Sequence, residues 1–213
     1  MMQTTNAALH DAYAAAYDAQ VAAYDCHVAD LLFGLCYEFT RPGQRLLDAG
    51  IGSGLSARPF ARAGLTISGM DFSPAILEVC RAKGFAAELR QHDLLEIPWP
   101  YPAGGFDHVV CCGVMHFIAD LDGIVGEARR VLAKGGVFGF TTRLPSNTEG
   151  SQPYERQVMG GFEIFSHTPV HMDALLAQHA FTRRKVQRCF VGDDLHLLWV
   201  AGGVSEGSRS SGA

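Results

Sequence analysis

The sequence predicts an α/β fold built on a doubly wound, mostly parallel sheet, and three observations carry that prediction. Short apolar runs of strand length alternate with segments of helix length from residue 45 to residue 142. Glycines fall at the joints of that alternation. A last pair of apolar runs is joined by a tight polar turn. Strands separated by helices of about ten residues close into a parallel sheet through right-handed crossovers. At 213 residues the chain suits one domain, alone or with an added lid, and can bury a sizeable core.

Taken in order, residues 6–39 are rich in alanine and read as helical, with a break near Tyr17 and Asp18. Tyr13, Tyr17, Val21 and Tyr24 recur at spacings of 4, 4 and 3 residues, which sets them on one helix face. Arg41, Pro42 and Gly43 turn the chain into a strand over 45–49. A helix over 56–63 follows, with Ser56 as its N-cap and Pro59 in the first turn, where a missing N–H costs little. Gly64 closes it. A strand over 65–70 then leads to Ser73 and Pro74, cap and first residue of a helix that runs to Ala82 with Gly84 behind it. A short strand over 86–90, a Pro-rich loop over 97–105, a buried strand over 106–112, a helix over 121–132 and a strand over 136–142 complete the alternation.

The remainder differs in pattern. Residues 144–168 have weak periodicity and read as an open loop, and 169–179 read as a helix. Segments 185–191 and 195–201, joined by Gly192, Asp193 and Asp194, read as an antiparallel hairpin at the sheet edge. Residues 202–213 are Gly/Ser-rich and read as a mobile tail. The expected organisation is a helical cap over 1–40, a main domain over 41–202 with a substrate-side insertion at 144–168, and a tail over 203–213.

Composition narrows the function classes. Apolar residues make up 48% and charged residues 18%, as in soluble globular chains, and the net charge is -5. A protein that grips long nucleic acid carries a basic stripe, whereas here only Arg183, Arg184 and Lys185 cluster, and they read as a solvated surface. No run of about 18 apolar residues is present to span a bilayer, and the start lacks the pattern of a signal peptide. Cysteines 26, 36, 80, 111, 112 and 189 form no C-x-x-C pair, so zinc spacing is absent and buried thiols in a reducing cytoplasm are expected. Oligomeric state has no signal in the sequence.

The chemistry concentrates in residues 46–54, Leu-Leu-Asp-Ala-Gly-Ile-Gly-Ser-Gly. Glycine at every second position permits positive φ and lets backbone approach a ligand without a Cβ in the way, with amides free to face a polar group. An ordinary strand-to-helix turn also uses glycine, so the loop alone decides little. Asp71 adds a second element, because it ends the next strand 17 residues after Gly54, where a carboxylate accepts both hydroxyls of a ribose. It can equally cap the following helix, a role Ser73 fills better. Together they define an adenosine-type site at the carboxyl edge of a Rossmann-like sheet.

Dehydrogenases share that much, but their fingerprint is G-x-G-x-x-G. Here the spacing is G-x-G-x-G with Asp48 two residues ahead. With Asp93 and the segment 106–116, these details resemble the class I S-adenosylmethionine-dependent methyltransferases over residues 45–143. The resemblance implies a seven-stranded sheet with an antiparallel last strand. It also implies S-adenosylmethionine as cofactor, with the backbone around Ala49, Gly50 and Gly52 against the methionyl part and Asp48 near its amino group. Asp71 matches the ribose-binding acid and Phe72 the neighbour that packs on adenine. Asp93 and Leu94 match the third-strand contacts to the adenine amino group and ring. On the fourth strand Cys112 stands where many relatives carry Asn, so a backbone carbonyl of Cys111 or Cys112 is left to receive the amino group. Tyr13, Tyr17 and Asp18 look like the lid helix in which a tyrosine reaches the cofactor carboxylate; they also fit plain amphipathic packing.

Methyl transfer is an in-line displacement at a sulfonium methyl, so the protein must place the nucleophile about 3 Å from the methyl and exclude water. A hydroxyl acceptor is helped by a base near neutral pKa. His116, after the fourth strand, is the candidate catalytic residue, with a helix-capping role as its alternative; His167 and His171 stand nearer the expected lid. The acceptor pocket is expected between the N-terminal helix and residues 144–168, with Tyr154, Phe162 and Phe165 as wall or local packing. Asn-Pro-Pro-Tyr-type sequences of nucleic-acid amino-methylating enzymes are missing after the fourth strand, which favours a small-molecule acceptor. Two other readings remain: a non-catalytic S-adenosylmethionine-binding module and an NAD(P)-dependent oxidoreductase.

Overall fold

A computed structural model of the chain describes residues 14–24, 26–146 and 152–203. Tyr13, residues 147–151 of the expected insertion and the tail beyond Gly203 lie outside the described residues. The sheet begins with β1 (Arg45–Ala49), β2 (Thr66–Asp71), β3 (Glu88–Gln91), β4 (Phe106–Cys111) and β5 (Leu132–Arg143), parallel in the order β3-β2-β1-β4-β5. Because the chain winds outward from β1 to β3 and then returns to β4, the loops after β1 and β4 part company and leave a crevice above the sheet.

Two further strands were not expected. Residues 144–168 read as an open loop, yet they contain β6 (Tyr154–Met159) and β7 (Phe162–His167), a hairpin turned by Gly160 and Gly161. Both glycines have positive φ, 57° and 87°, as a two-residue hairpin turn requires. β7 touches the parallel sheet at Arg143 and Ser166. The C-terminal hairpin is as expected but longer. β8 (Phe181–Val191) and β9 (Asp194–Gly203) run antiparallel, and β9 lies antiparallel to β5. Nine strands thus form the described sheet, seven in the expected frame and two added by the hairpin.

The helices divide between the two faces: α1 (Tyr17–Ala23), α2 (Val28–Tyr37), α3 (Arg58–Arg62), α4 (Pro74–Ala82), α5 (Asp122–Val131) and α6 (Pro169–Gln178). Successive strand residues point to opposite faces, so each central strand feeds two cores. Leu46, Val110, Val137 and Leu198 pack with Leu32 of α2, Phe60 of α3 and Leu77 of α4. Leu47, Val109, Phe138 and Trp199 pack with Ile124 and Ala128 of α5 and Leu175 of α6. This registration of alternate residues is what makes the continuous apolar runs read as buried parallel strands.

Local capping was legible in part. Ser73 caps α4 as expected, its Oγ accepting the Ile76 N–H at 3.2 Å. Ser56 does not cap the next helix back; α3 begins at Arg58 behind Ala57, and the Ser56 hydroxyl donates to Asp48 Oδ2 at 2.5 Å instead. The hydroxyl serves a carboxylate whose burial is costly without hydrogen-bond donors. The N-terminal break falls between α1 and α2, not at Tyr17, which opens α1 directly after a 3-10 turn at Ala14–Ala16.

Gly69 in the middle of β2 has no room for a side chain. A Cβ there would sit 2.8 Å from Ile51 Cβ, an atom close to the main chain of the glycine loop. Gly69→Ala should therefore lower stability by about 1–3 kcal/mol, read from urea denaturation, and weaken ligand binding by shifting the loop. An unchanged midpoint would show that the loop yields freely.

Candidate functional site

The glycine loop between β1 and α3 owes its shape to backbone conformation. Gly50, Gly52 and Gly54 have φ of 81°, 52° and 87°, values that side-chain-bearing residues rarely adopt. A Cβ on Gly50 would strike Val114 at 2.6 Å, and one on Gly54 would strike Phe85 at 2.5 Å. The loop amides, however, are not left open for a ligand. Gly50 and Ile51 N–H donate to the Met70 carbonyl at 2.8 and 3.0 Å, Gly54 N–H to the Ile51 carbonyl at 2.8 Å, and Gly52 N–H to Asp71 Oδ2 at 2.9 Å. The loop thus brings its backbone to the crevice with these four donors already satisfied, Gly52 N–H by the Asp71 carboxylate.

Above the parting of β1 and β4 lies a cavity of about 710 Å³. Of the residues singled out in the sequence, Gly50, Gly52, Asp71, Phe72, Asp93 and Leu94 all stand in its wall. Tyr17, Cys112 and His116 join them from α1, the end of β4 and the 3-10 turn Met115–Phe117. Asp48, Ala49 and Cys111 do not line it; each is fully buried behind the loop. Asp48 holds Ser56, while its Oδ1 is buried with no hydrogen-bond partner. Burial, reinforced by the nearby Asp71 charge and offset by the Ser56 hydrogen bond, pushes the Asp48 carboxyl up to about 7.

Asp71 is placed by two backbone groups. Besides Gly52 N–H at Oδ2, its Oδ1 accepts Ser73 N–H at 3.0 Å, and the residue is 8% exposed. A carboxylate offers about four lone-pair sites, so these bonds fix it without exhausting its capacity to accept. Asp93 is half-buried, its Oδ1 taking the Leu95 N–H at 2.9 Å. Burial, with Cys112, Cys26 and the carboxylates Asp71 and Asp18 close by, pushes the Tyr17 phenol up to about 12, which keeps it a neutral donor.

The opposite end of the cavity holds a residue the sequence did not point to. His196 of β9 lines the wall, 8% exposed, and its ring meets His116 edge-on with centroids 5.9 Å apart. Burial lowers the His196 pKa and the Arg143 charge lowers it further, against an upward pull from Asp194. Thr141 of β5 lines the same end, and its Oγ1 accepts Gly113 N–H at 2.8 Å. Strand register alone brings His196 there: it pairs with Arg143, 53 positions earlier in the chain. Tyr154, Phe162, Phe165, His167 and His171 all lie outside the wall. The hairpin backs the cavity instead, with Phe162 packed on Phe117 at 5.7 Å.

The chain is similar to known proteins. The family model described as a methyltransferase domain matches residues 47–140. A malonyl-[acyl-carrier protein] O-methyltransferase from Serratia marcescens is 29% identical over 131 residues, 62% of this chain and 51% of that protein, so the match spans about half the relative's length. A ubiquinone biosynthesis O-methyltransferase from Psychrobacter arcticus is 27% identical over 180 residues, 78% of this chain and 70% of that one. Among solved structures, a 1,6-didemethyltoxoflavin-N1-methyltransferase from Burkholderia thailandensis, crystallised with its acceptor and S-adenosylhomocysteine, superposes with a TM-score of 0.71. It covers 96% of this chain and 91% of its own at 16% identity, a level at which the likeness speaks for the fold alone. Motif order, sheet and matched segment thus agree: residues 47–140 match a methyltransferase domain, and the chain is similar there to S-adenosylmethionine-dependent methyltransferases.

Proposed function

We propose that the protein transfers the methyl group of S-adenosylmethionine to a small-molecule acceptor, with the cofactor against Asp71 and Asp93 and the acceptor against His116 and His196. The observation that carries this is the two-ended cavity. Its volume of about 710 Å³ falls within the roughly 300–1,000 Å³ of small-molecule sites. One end presents carboxylates beside Phe72 and Leu94; the other presents two imidazoles and Thr141. Asp71 would take the ribose hydroxyls, Phe72 and Leu94 the adenine faces, and Asp93 the adenine amino group. Tyr17, on α1 in the proposed cap, would donate to the methionyl carboxylate. Asp48 acts one layer back, through Ser56 and the loop.

The charge pattern favours this reading over a dinucleotide oxidoreductase. A pyrophosphate needs free amides or cations at the glycine loop, whereas four of the five amides from Gly50 to Gly54 are already taken and Asp71 stands beside them. A sulfonium cofactor suits carboxylates. The names of the Serratia and Psychrobacter relatives support an oxygen acceptor, for which His116 is the proposed base. Arg183 is paired with Asp173 and Lys185 with Glu38, far from a continuous basic stripe, which supports a small molecule over nucleic acid. No helix among the described residues is long and apolar enough to cross a membrane.

Incubation with methyl-labelled S-adenosylmethionine and a metabolite extract should yield a labelled small molecule, identified by mass spectrometry. Cofactor binding with no labelled product would favour the non-catalytic module. Once the acceptor is known, His116→Asn should lower kcat by about 10²-fold or more if the base is essential. Asp71→Asn should raise the Kd for S-adenosylhomocysteine by roughly 10–100-fold, the cost of a lost charged acceptor; unchanged affinity in calorimetry would place the ribose elsewhere.

Asp48 gives a pH test. Its folded pKa of about 7 stands above the ordinary 3.8, so between these values the native state holds a proton that the unfolded chain has lost. Stability from this group is therefore complete below about pH 4 and lost as pH rises through about 7. Asp48→Asn removes that dependence, so its stability relative to wild type should improve steadily from pH 4 to pH 7.5 in urea titrations. A flat difference would mean that the carboxylate is ionised and accommodated.

A further inference from the structure

Asp18 of α1, Ser53 of the glycine loop and Lys83 at the C-terminal end of α4 meet in a closed triangle. Ser53 Oγ donates to Asp18 Oδ1 at 2.5 Å, and Lys83 Nζ pairs with Asp18 Oδ2 at 2.5 Å. Lys83 Nζ also donates to the Ser53 carbonyl at 2.7 Å. Ser53 is 1% exposed, and the Lys83 side chain is 20% exposed, so two of the three corners are shielded from water.

The helix held by this triangle has little core of its own. No residue of α1 is fully buried, Tyr17 being enclosed only in part, and the face carrying Tyr17, Val21 and Ala22 lines the cavity. Ala14, just ahead of α1, is buried near α4. Seven residues of helix without a buried face do not stay docked through intrinsic propensity. Polar attachment at Asp18 therefore sets where Tyr17 stands.

We infer that Lys83 is a positioning residue for the cofactor. Through Asp18 it fixes the helix that carries Tyr17, and through the Ser53 carbonyl it fixes the loop that carries Gly52. Helix and loop then close on the ligand as one unit, and either can open only when the triangle breaks. This rests on the reading of the cavity as an S-adenosyl site. A lone, partly exposed ion pair contributes little, but here each group contacts both others, and such networks exceed the sum of their pairs. Because the triangle closes over a seated ligand, its loss acts on dissociation more than on encounter.

The test is the kinetics of S-adenosylhomocysteine binding to the full chain, by surface plasmon resonance, for wild type, Lys83→Gln, Lys83→Arg, Asp18→Asn and the Lys83→Gln/Asp18→Asn double variant. Each charge-removing single variant should raise the dissociation rate about five- to tenfold, with association within about twofold. The double variant should dissociate no faster than the faster single, and Lys83→Arg should restore most of the wild-type rate. Salt at about 0.5 M should speed release from wild type and leave the double variant unchanged. Unchanged dissociation, additive effects, or slower association together with a lower melting temperature of the unliganded protein would each overturn the inference, the last by showing a purely structural role. Failure of wild type itself to bind S-adenosylhomocysteine would instead sink the cofactor reading, and this inference with it.

Discussion

One carboxylate ties the site together. Asp71 ends β2, accepts Gly52 N–H from the loop after β1, and accepts Ser73 N–H at the start of α4. The loop after β1, the end of β2 and the start of α4 are thereby locked at one residue. A buried carboxylate is costly unless hydrogen-bonded, and charge-assisted bonds from backbone are each worth about 1.5–3 kcal/mol. The protein therefore has a structural reason to keep an acid there, and the same acid faces the cavity.

Asp71 also sets the electrostatics around it. Its charge disfavours ionisation of Asp48 and of the Tyr17 phenol, and it contributes to raising the Cys111 thiol. Burial is the larger cause in all three, so each of these groups is harder to ionise than in water. Carboxylates in a largely enclosed cavity attract a cation strongly, because little water is present to screen them. That arrangement matches a positively charged sulfonium ligand and would repel a diphosphate.

Sequence reading succeeded where the determining contacts are local. The positive φ of Gly50, Gly52 and Gly54, the Ser73 cap and the strand-end acids Asp71 and Asp93 all follow from a few neighbouring residues. The β6–β7 hairpin escaped because none of β6 is buried, so no alternation marks it; only Gly160 and Gly161, adjacent and both at positive φ, signalled the turn. His196 escaped for a different reason. Its position at the acceptor end depends on β9 lying antiparallel to β5, a pairing between residues more than fifty apart. Ser56 was misassigned because its better partner, Asp48, lies on the preceding strand and not in its own helix.

These differences fall on one side of the cavity. The adenosine end is built from the ends of β1, β2 and β3, each followed at once by its own loop, so local sequence determines its chemistry. The acceptor end is assembled from β5, β9, the 3-10 turn after β4 and helix α1, four elements with no common motif. Thr141 and His196 stand on β5 and β9, across β1 and β4 from Asp71 and Asp93 at the ends of β2 and β3, so that second end can vary without disturbing the first. On the proposed reading, substrate identity resides in long-range register and in how α1 closes, which is where this chain differs from what its glycine loop alone would say.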